Sequence, residues 1–329
     1  MRNNRATHAL VTGGAGFIGS HLCEELLSRG FKVVALDDLS TGSKLNIAYM
    51  LPWKKRIVFI KGSILNERLM ERLIKKTDIV YHLAAAVGVK LILDNPVESI
   101  LTNIKGTEII LRLSARYGKK VFIASSSEVY GKRTHIPLKE DTDTLMGATN
   151  ISRWSYANAK AADEFLSLGY FREKRLPVVV GRFFNIVGSR QVSSYGMVLP
   201  RLIEEALTGK PITVFGDGSQ IRSFTYVKDA VRAVVDLTLT KEAEGKIFNI
   251  GNEEHISIRQ LARKIKQKTG SKSKIKFIPY EKFYGKDFED VKCRLCDLHK
   301  IKKVIRYSPK YSLDKIINLT IEYFKQQKH

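Results

Sequence analysis

Residues 9–20, A-L-V-T-G-G-A-G-F-I-G-S, constrain the chain more than any other stretch. Ala9, Leu10 and Val11 form a short apolar run of the kind that makes a buried strand. Glycines interrupt it, and apolar periodicity resumes through Leu22, Leu26 and Leu27, the mark of a helix. Gly13, Gly16 and Gly19 are spaced three apart. In a strand–turn–helix unit the first permits the tight turn. The second lets backbone approach a pyrophosphate, and the third lets the helix pack on the strand. The phosphates would meet the free N–H groups at the helix N-terminus. A second strand, residues 32–36, ends in Asp37. A carboxylate at that distance accepts hydrogen bonds from an adenosine ribose and repels a 2′-phosphate, so NAD is expected rather than NADP.

Further short apolar runs at 57–60, 79–83, 121–124 and 177–183 alternate with helical stretches at 96–117 and 156–172. The alternation predicts an α/β fold, a doubly wound parallel Rossmann sheet, with ligands outside the carboxyl ends of the strands. From Asn185 the pattern loosens. Helices at 198–207 and 313–327 and a strand at 272–278 predict a smaller C-terminal lobe, while a helix at 229–238 precedes a strand at 246–250 that would rejoin the main sheet. Residues 1–184 with 223–254 are expected to bind the dinucleotide. Residues 185–222 with 255–329 are expected to bind the substrate.

The chain of 329 residues carries a formal net charge of +23. Its Lys and Arg residues are spread out and are densest after Lys241, interleaved with apolar helix positions. No aromatic–basic repeat of the base-stacking kind occurs, so a nucleic-acid partner is not expected. Part of the field would draw in a dianionic nucleotide. No run approaches the roughly 20 apolar residues that span a bilayer, and no signal peptide is expected from the polar start. A cytoplasmic enzyme without membrane contact is the expectation. Cys293 and Cys296 form one C-x-x-C, but a zinc site needs a second pair of ligands. Cys23 falls in the first helix and is expected in the core. No metal is expected.

Tyr156 and Lys160 lie four apart on a predicted helix and point the same way. An ammonium beside a phenol lowers the phenol's pKa, which would make Tyr156 a general base. Alone, Y-x-x-x-K is common on solvated helix faces. Here it accompanies the glycine turn and the serines of residues 125–127.

The set G-G-A-G-F-I-G, Asp37, H-L-A-A, S-S-S-E-V-Y-G, Y-A-N-A-K, R-F-F-N and R-S-F-T-Y-V resembles the extended short-chain dehydrogenase/reductases that act on nucleotide sugars. The resemblance runs from about Leu10 to about Tyr323. It implies tightly held NAD and a UDP-sugar substrate. Tyr156 would take the proton of the sugar's 4-hydroxyl while carbon 4 gives hydride to NAD, and Ser126 would hold that hydroxyl. The hydride is later returned. The cofactor contacts implied are Gly13, Gly16, Phe17, Ile18, Gly19, Asp37, Ser63, Ile64, Leu83, Ala84, Ala85, Asn103, Tyr156 and Lys160. Substrate contacts implied are Ser126, Ser127, Asn185 and Arg222, with Phe215 near the uracil and Arg190 as a further anion contact. One departure is Gly62-Ser63, where the family has Gly-Asp, so a carboxylate partner for the adenine amine is missing. The resemblance also implies a homodimer through the helices at 96–117 and 156–172.

Within the family, dehydratases carry Asp-Glu before V-Y-G. This chain has Ser127-Glu128, so dehydration is not expected. S-E-V-Y-G, Arg222 and the approach Ser152-Arg153-Trp154-Ser155-Tyr156 are similar to UDP-glucuronate decarboxylases. A 4-keto uronic acid is a β-keto acid, so carbon dioxide leaves readily, with Glu128 and Arg222 managing that step. Val87-Gly88-Val89-Lys90 and Tyr195-Gly196-Met197-Val198-Leu199-Pro200 are instead similar to bacterial epimerases. The expected function is therefore a UDP-glucuronate decarboxylase giving UDP-xylose or its 4-ketone. A UDP-glucose or UDP-glucuronate 4-epimerase is the alternative, and a non-catalytic nucleic-acid binder on the same fold a remote third.

Overall fold

The computed structural model describes residues 6–86, 95–193, 197–284 and 290–327. The sequence features at Val87–Lys90 and Tyr195-Gly196 lie outside the described residues.

Strands and helices alternate through the first half: β1 (His8–Thr12), α1 (Phe17–Ser28), β2 (Lys32–Asp37), α2 (Lys44–Ala48), β3 (Ile57–Lys61), α3 (Glu67–Lys75), β4 (Ile79–His82), α4 (Pro96–Arg116), β5 (Lys120–Ser126), α5 (Arg153–Lys174) and β6 (Val178–Phe183). Then come β7 (Ile186–Val187), α6 (Val198–Leu207), β8 (Ile212–Phe215), β9 (Ile221–Ser223), β10 (Thr225–Tyr226), α7 (Val227–Leu239) and β11 (Lys246–Ile250). The chain closes with β12 (His255–Ser257), α8 (Ile258–Thr269), β13 (Ile275–Ile278), α9 (Glu281–Tyr284), β14 (Cys293–Arg294), α10 (His299–Ile305) and α11 (Leu313–Gln326).

Seven strands form one parallel sheet in the order β11-β6-β5-β4-β1-β2-β3. The chain builds outward from β1 through β2 and β3, then returns to β4 on β1's other side. That reversal makes a crevice at the carboxyl ends, the place where doubly wound sheets bind ligands. The strands read as unbroken apolar runs because both faces are covered. Ala9, Val11, Tyr81, Phe122 and Val179 pack into the layer with α1 and α7. Their neighbours Leu10, Val80, Val121, Val178 and Val180 pack into the opposite layer, with α3, α4 and α5. The strand predicted at 246–250 does rejoin this sheet, as β11 beside β6.

After β6 the pieces are smaller: β7 with β10, β8 with β13, and the three strands β12-β9-β14. The buried faces of α6, α8 and α11 pack together in the same hydrophobic cluster as α1 and α7. Among the described residues no helix is long and apolar enough to cross a membrane.

Candidate active site

A cavity of about 590 Å3 lies at the carboxyl ends of the parallel strands. One arm is floored by glycine. Gly13 has φ +71°, and a Cβ there would sit 2.9 Å from the Ala84 backbone nitrogen. A Cβ on Gly19 would run into the Gly13 carbonyl oxygen, so α1 can pack this close only with glycine there. Gly16 is the N-cap of α1 and faces the cavity. The first turn of α1 takes no side-chain cap and holds no acidic residue. Asp37 closes this arm at the end of β2. Its Oδ2 accepts from the Ala15 N–H at 3.0 Å and its Oδ1 from the Leu39 N–H at 2.8 Å. Burial raises the carboxyl above its ordinary pKa, with those two N–H groups pulling the other way.

The same cavity is lined by Phe17, Ile18, Ile64, Leu83, Ala84 and Ala85. Three residues named from the sequence do not line it. Ser63 accepts from the Leu65 N–H at 3.2 Å. Asn103 is buried and clamps the Ala86 backbone, accepting its N–H at 2.9 Å and donating to its carbonyl at 3.3 Å. Arg190 donates to Glu24 at 2.8 Å and to Ser20 at 3.2 Å, and stacks 4.0 Å over the Tyr49 ring. Its charge is used inside the fold, which corrects the expectation of an anion contact.

The other arm carries the polar chemistry. Ser126 ends β5, and its Oγ accepts from the Glu128 N–H at 3.2 Å. Tyr156 stands in the first turn of α5 with its phenol hydrogen-bonded to Ser126. Lys160 lies one turn on. The expected effect of Lys160 on Tyr156 is not what the geometry gives. The ammonium is held by Asp163 at 3.0 Å. Burial, then the carboxylates of Glu128 and Asp163, push the Tyr156 phenol well above its ordinary value, against the hydrogen bond from Ser126. Beneath them His82 is buried, its Nδ1 2.8 Å from the Thr12 hydroxyl. Burial, with the Lys160 charge, lowers it to about 3.

Glu128 does not stand alone. Arg294 donates to it at 2.5 Å, and Arg153 lies 3.6 Å away. Burial works to raise the carboxyl, but Arg294, Arg153 and Arg222 outweigh it and hold it at about 2. Glu128 is thus ionised near neutral pH and is no proton donor in this state. Arg222 pairs with Asp290 at 3.1 Å, and Asp290 also accepts from the Tyr280 hydroxyl. β14 and β9 bring Arg294 beside Arg222 in register. Three arginines (Arg153, Arg222, Arg294) and two carboxylates (Glu128, Asp290) therefore line one end of the cavity. Ser127 and Asn185 line it too, the Asn185 amide donating to the Ser223 carbonyl at 2.8 Å. Phe215 lines it as well, between the Arg201 guanidinium at 4.5 Å and the Tyr280 ring at 6.3 Å.

Arg294, Asp290 and Tyr280 are missing from the sequence reading. The one local signal was an arginine inside the C-x-x-C, C-R-L-C. The two cysteines are free, and Cys296 is buried in the core with a thiol raised to about 12 by burial.

The profile of the GDP-mannose 4,6-dehydratase family matches residues 10–320. A UDP-N-acetyl-alpha-D-glucosaminuronate decarboxylase of Bacillus cytotoxicus is 43% identical over 318 residues, covering 96% of this chain and 97% of that one. UDP-glucuronic acid decarboxylase 1 of Danio rerio is 34% identical over 320 residues, covering 97% of this chain and 72% of that one. Among solved structures, the UDP-glucuronic acid 4-epimerase of Bacillus cereus with UDP-glucuronic acid and NAD superposes with a TM-score of 0.87 at 31% identity, covering 98% of this chain and 100% of that one.

Proposed function

From the premise that the chain belongs to the GDP-mannose 4,6-dehydratase family of extended short-chain dehydrogenase/reductases, we propose that it is an NAD-dependent UDP-uronate decarboxylase. The observation that carries this reading is the convergence of Arg153, Arg222 and Arg294 on one end of the cavity, against Glu128 and Asp290 among the described residues. That excess of positive charge suits a substrate bearing a sugar carboxylate as well as a diphosphate.

The glycine-floored arm fits a dinucleotide. The uncapped first turn of α1 offers N–H groups to a pyrophosphate, and the Asp37 carboxylate keeps lone pairs for ribose hydroxyls. Gly13, Gly16, Gly19, Ile64 and residues 83–85 would hold it. When bound, NAD supplies a reversible hydride acceptor for carbon 4 and a cationic ring that favours the Tyr156 phenolate. Tyr156 takes the 4-hydroxyl proton and Ser126 fixes that hydroxyl. The ketone at carbon 4 makes the substrate a β-keto acid. The bond between carbons 5 and 6 breaks, its electron pair passes into an enolate, and carbon dioxide leaves. Arg222 and Arg294 orient the carboxylate, and ionised Glu128 holds Arg294 in place. Carbon 5 then takes a proton from solvent, and Tyr156 gives its proton back to the oxygen on carbon 4 when that ketone is reduced, for which the bound cofactor would supply the hydride.

Domain boundaries belong to the same proposal: residues 1–184 with 223–254 for NAD, residues 185–222 with 255–329 for the UDP-sugar. We also assign a homodimer through α4 and α5, supported by exposed Val97 (69%), Leu101 (56%) and Phe165 (76%) on these two packed helices. Free cysteines fit a cytoplasmic location.

The test is incubation with UDP-glucuronate and, in parallel, its 2-acetamido counterpart, followed by mass spectrometry. Loss of carbon dioxide from either supports the reading and identifies the uronate. An unchanged mass with inverted carbon 4 replaces it with a 4-epimerase, the reading favoured by the superposed structure.

A further inference from the structure

Asn249 lies in β11, fully buried, and does not line the cavity. Its polar atoms are nonetheless engaged on several sides. Its Oδ1 accepts from the Tyr130 hydroxyl at 2.7 Å. Its Nδ2 donates to the Leu138 carbonyl at 2.9 Å and to the Asp297 carbonyl at 3.1 Å. Its backbone N–H donates to Glu140 Oε1 at 2.8 Å. A buried amide so satisfied is a rigid tie, because removing it leaves its partners desolvated and unpaired.

The ties lead to particular places. Tyr130 ends the one-turn helix Ser127–Tyr130 that carries Glu128. Asp297 follows Arg294 by three residues. Leu138 clamps that same segment, donating to the Leu295 carbonyl at 2.8 Å and accepting from the Asp297 N–H at 2.9 Å. The strand that presents Arg294 is only two residues long, so its own ladder fixes it weakly. Both halves of the Glu128–Arg294 pair, far apart in sequence, are thus tethered to one side chain.

We infer that Asn249 is a positioning residue, which sets the relation between the turn bearing Glu128 and the segment bearing Arg294. Its effect on turnover rests on the UDP-uronate reading; its effect on the ion pair does not.

The experiment uses the full-length enzyme labelled with carboxyl-13C glutamate, the Glu128 signal being identified by its loss in Glu128→Gln. Asn249→Ala removes all three side-chain bonds, and Tyr130→Phe removes one. Each is made in the wild-type and Arg294→Ala backgrounds. The groups facing Glu128 are Arg294, Arg153, Arg222 and the Tyr156 phenol, and of these Arg294 lies on the segment tied to Asn249 through Asp297. In the wild-type background the Glu128 titration is expected to move up from about 2 towards the ordinary carboxylate range. Turnover of UDP-glucuronate falls by about ten- to a hundredfold in kcat with little change in KM. With Arg294→Ala already present, both changes are much smaller. A Glu128 titration unmoved by Asn249→Ala, or an equal loss in both backgrounds, overturns the inference. If Asn249→Ala does not fold, Tyr130→Phe carries the same comparison, and an unmoved titration there overturns it. A wild-type enzyme inert on UDP-uronates whose Glu128 titration still follows Asn249 sinks the proposed function and leaves the positioning role standing.

Discussion

Tyr156 and Glu128 divide the chemistry by charge state. The phenol is buried, faces two carboxylates and stays protonated in this state, while Glu128, ringed by arginines, stays ionised. Tyr156→Phe is expected to lower kcat by about 10²–10⁴ and to leave UDP-sugar affinity, measured by calorimetry, near that of the wild type. Glu128→Gln is a test by pH. The folded carboxyl titrates at about 2 against an ordinary 4.5. The ion pair therefore stabilises fully above about 4.5, and that contribution is lost as pH falls towards 2. Melting temperatures of wild type and Glu128→Gln, taken across that window, should converge as pH falls; a constant gap would mean that Glu128 is not held down in the folded state. Tyr156 and Lys160 were legible in the sequence because one helical turn separates them, whereas Ser126 was legible only through the family resemblance. Arg294 was not, since only the pairing of β14 with β9 sets it beside Arg222. The partner of Lys160 is hidden in the sequence for a related reason. Asp163 lies one turn further along the same helix, and a buried ammonium pairs with a full charge rather than a neutral phenol.

At the scale of elements, the turn from β1 into α1 separates packing from binding. A methyl group on Gly19 would strike the Gly13 carbonyl, which is backbone and cannot swing aside. A methyl on Gly16 would meet only that same oxygen, at 3.1 Å, and would otherwise project where phosphate would lie. Gly19→Ala is expected to melt at a markedly lower temperature or fail to fold. Gly16→Ala is expected to melt somewhat below the wild type in cofactor-free form, far less so than Gly19→Ala, yet to purify with little bound NAD, read from its absorbance. Equal behaviour of the two variants would contradict the assignment. The strands of the main sheet were readable because burial on both faces makes each an apolar run. α8 is faint in the sequence although Ser257 and Gln260 form a capping box at its start. With many lysines and arginines, its buried face of Ile258, Leu261, Ala262 and Ile265 is a thin stripe in a charged background. The small strands β9, β12 and β14, two or three residues each, carry no period long enough to detect.

For the molecule as a whole, two claims remain open to direct measurement. The exposed apolar stripe of Val97, Leu101 and Ile104 on α4, with Phe165 on α5, predicts a dimer in light scattering and a folded monomer for Phe165→Asp; a monomeric wild type would contradict it. The distribution of charge supports the larger claim. A protein at +23 concentrates three arginines at the end of its cavity, so the field that draws an anionic nucleotide in also ends where a carboxylate would be held. The most direct test of decarboxylation is turnover of UDP-glucuronate and its 2-acetamido counterpart in deuterium oxide, followed by proton NMR of the product. The account predicts a UDP-pentose bearing deuterium at carbon 5, because carbon dioxide leaves that carbon and solvent supplies its replacement. A product that keeps its carboxylate, or a pentose with no deuterium at carbon 5, would contradict it.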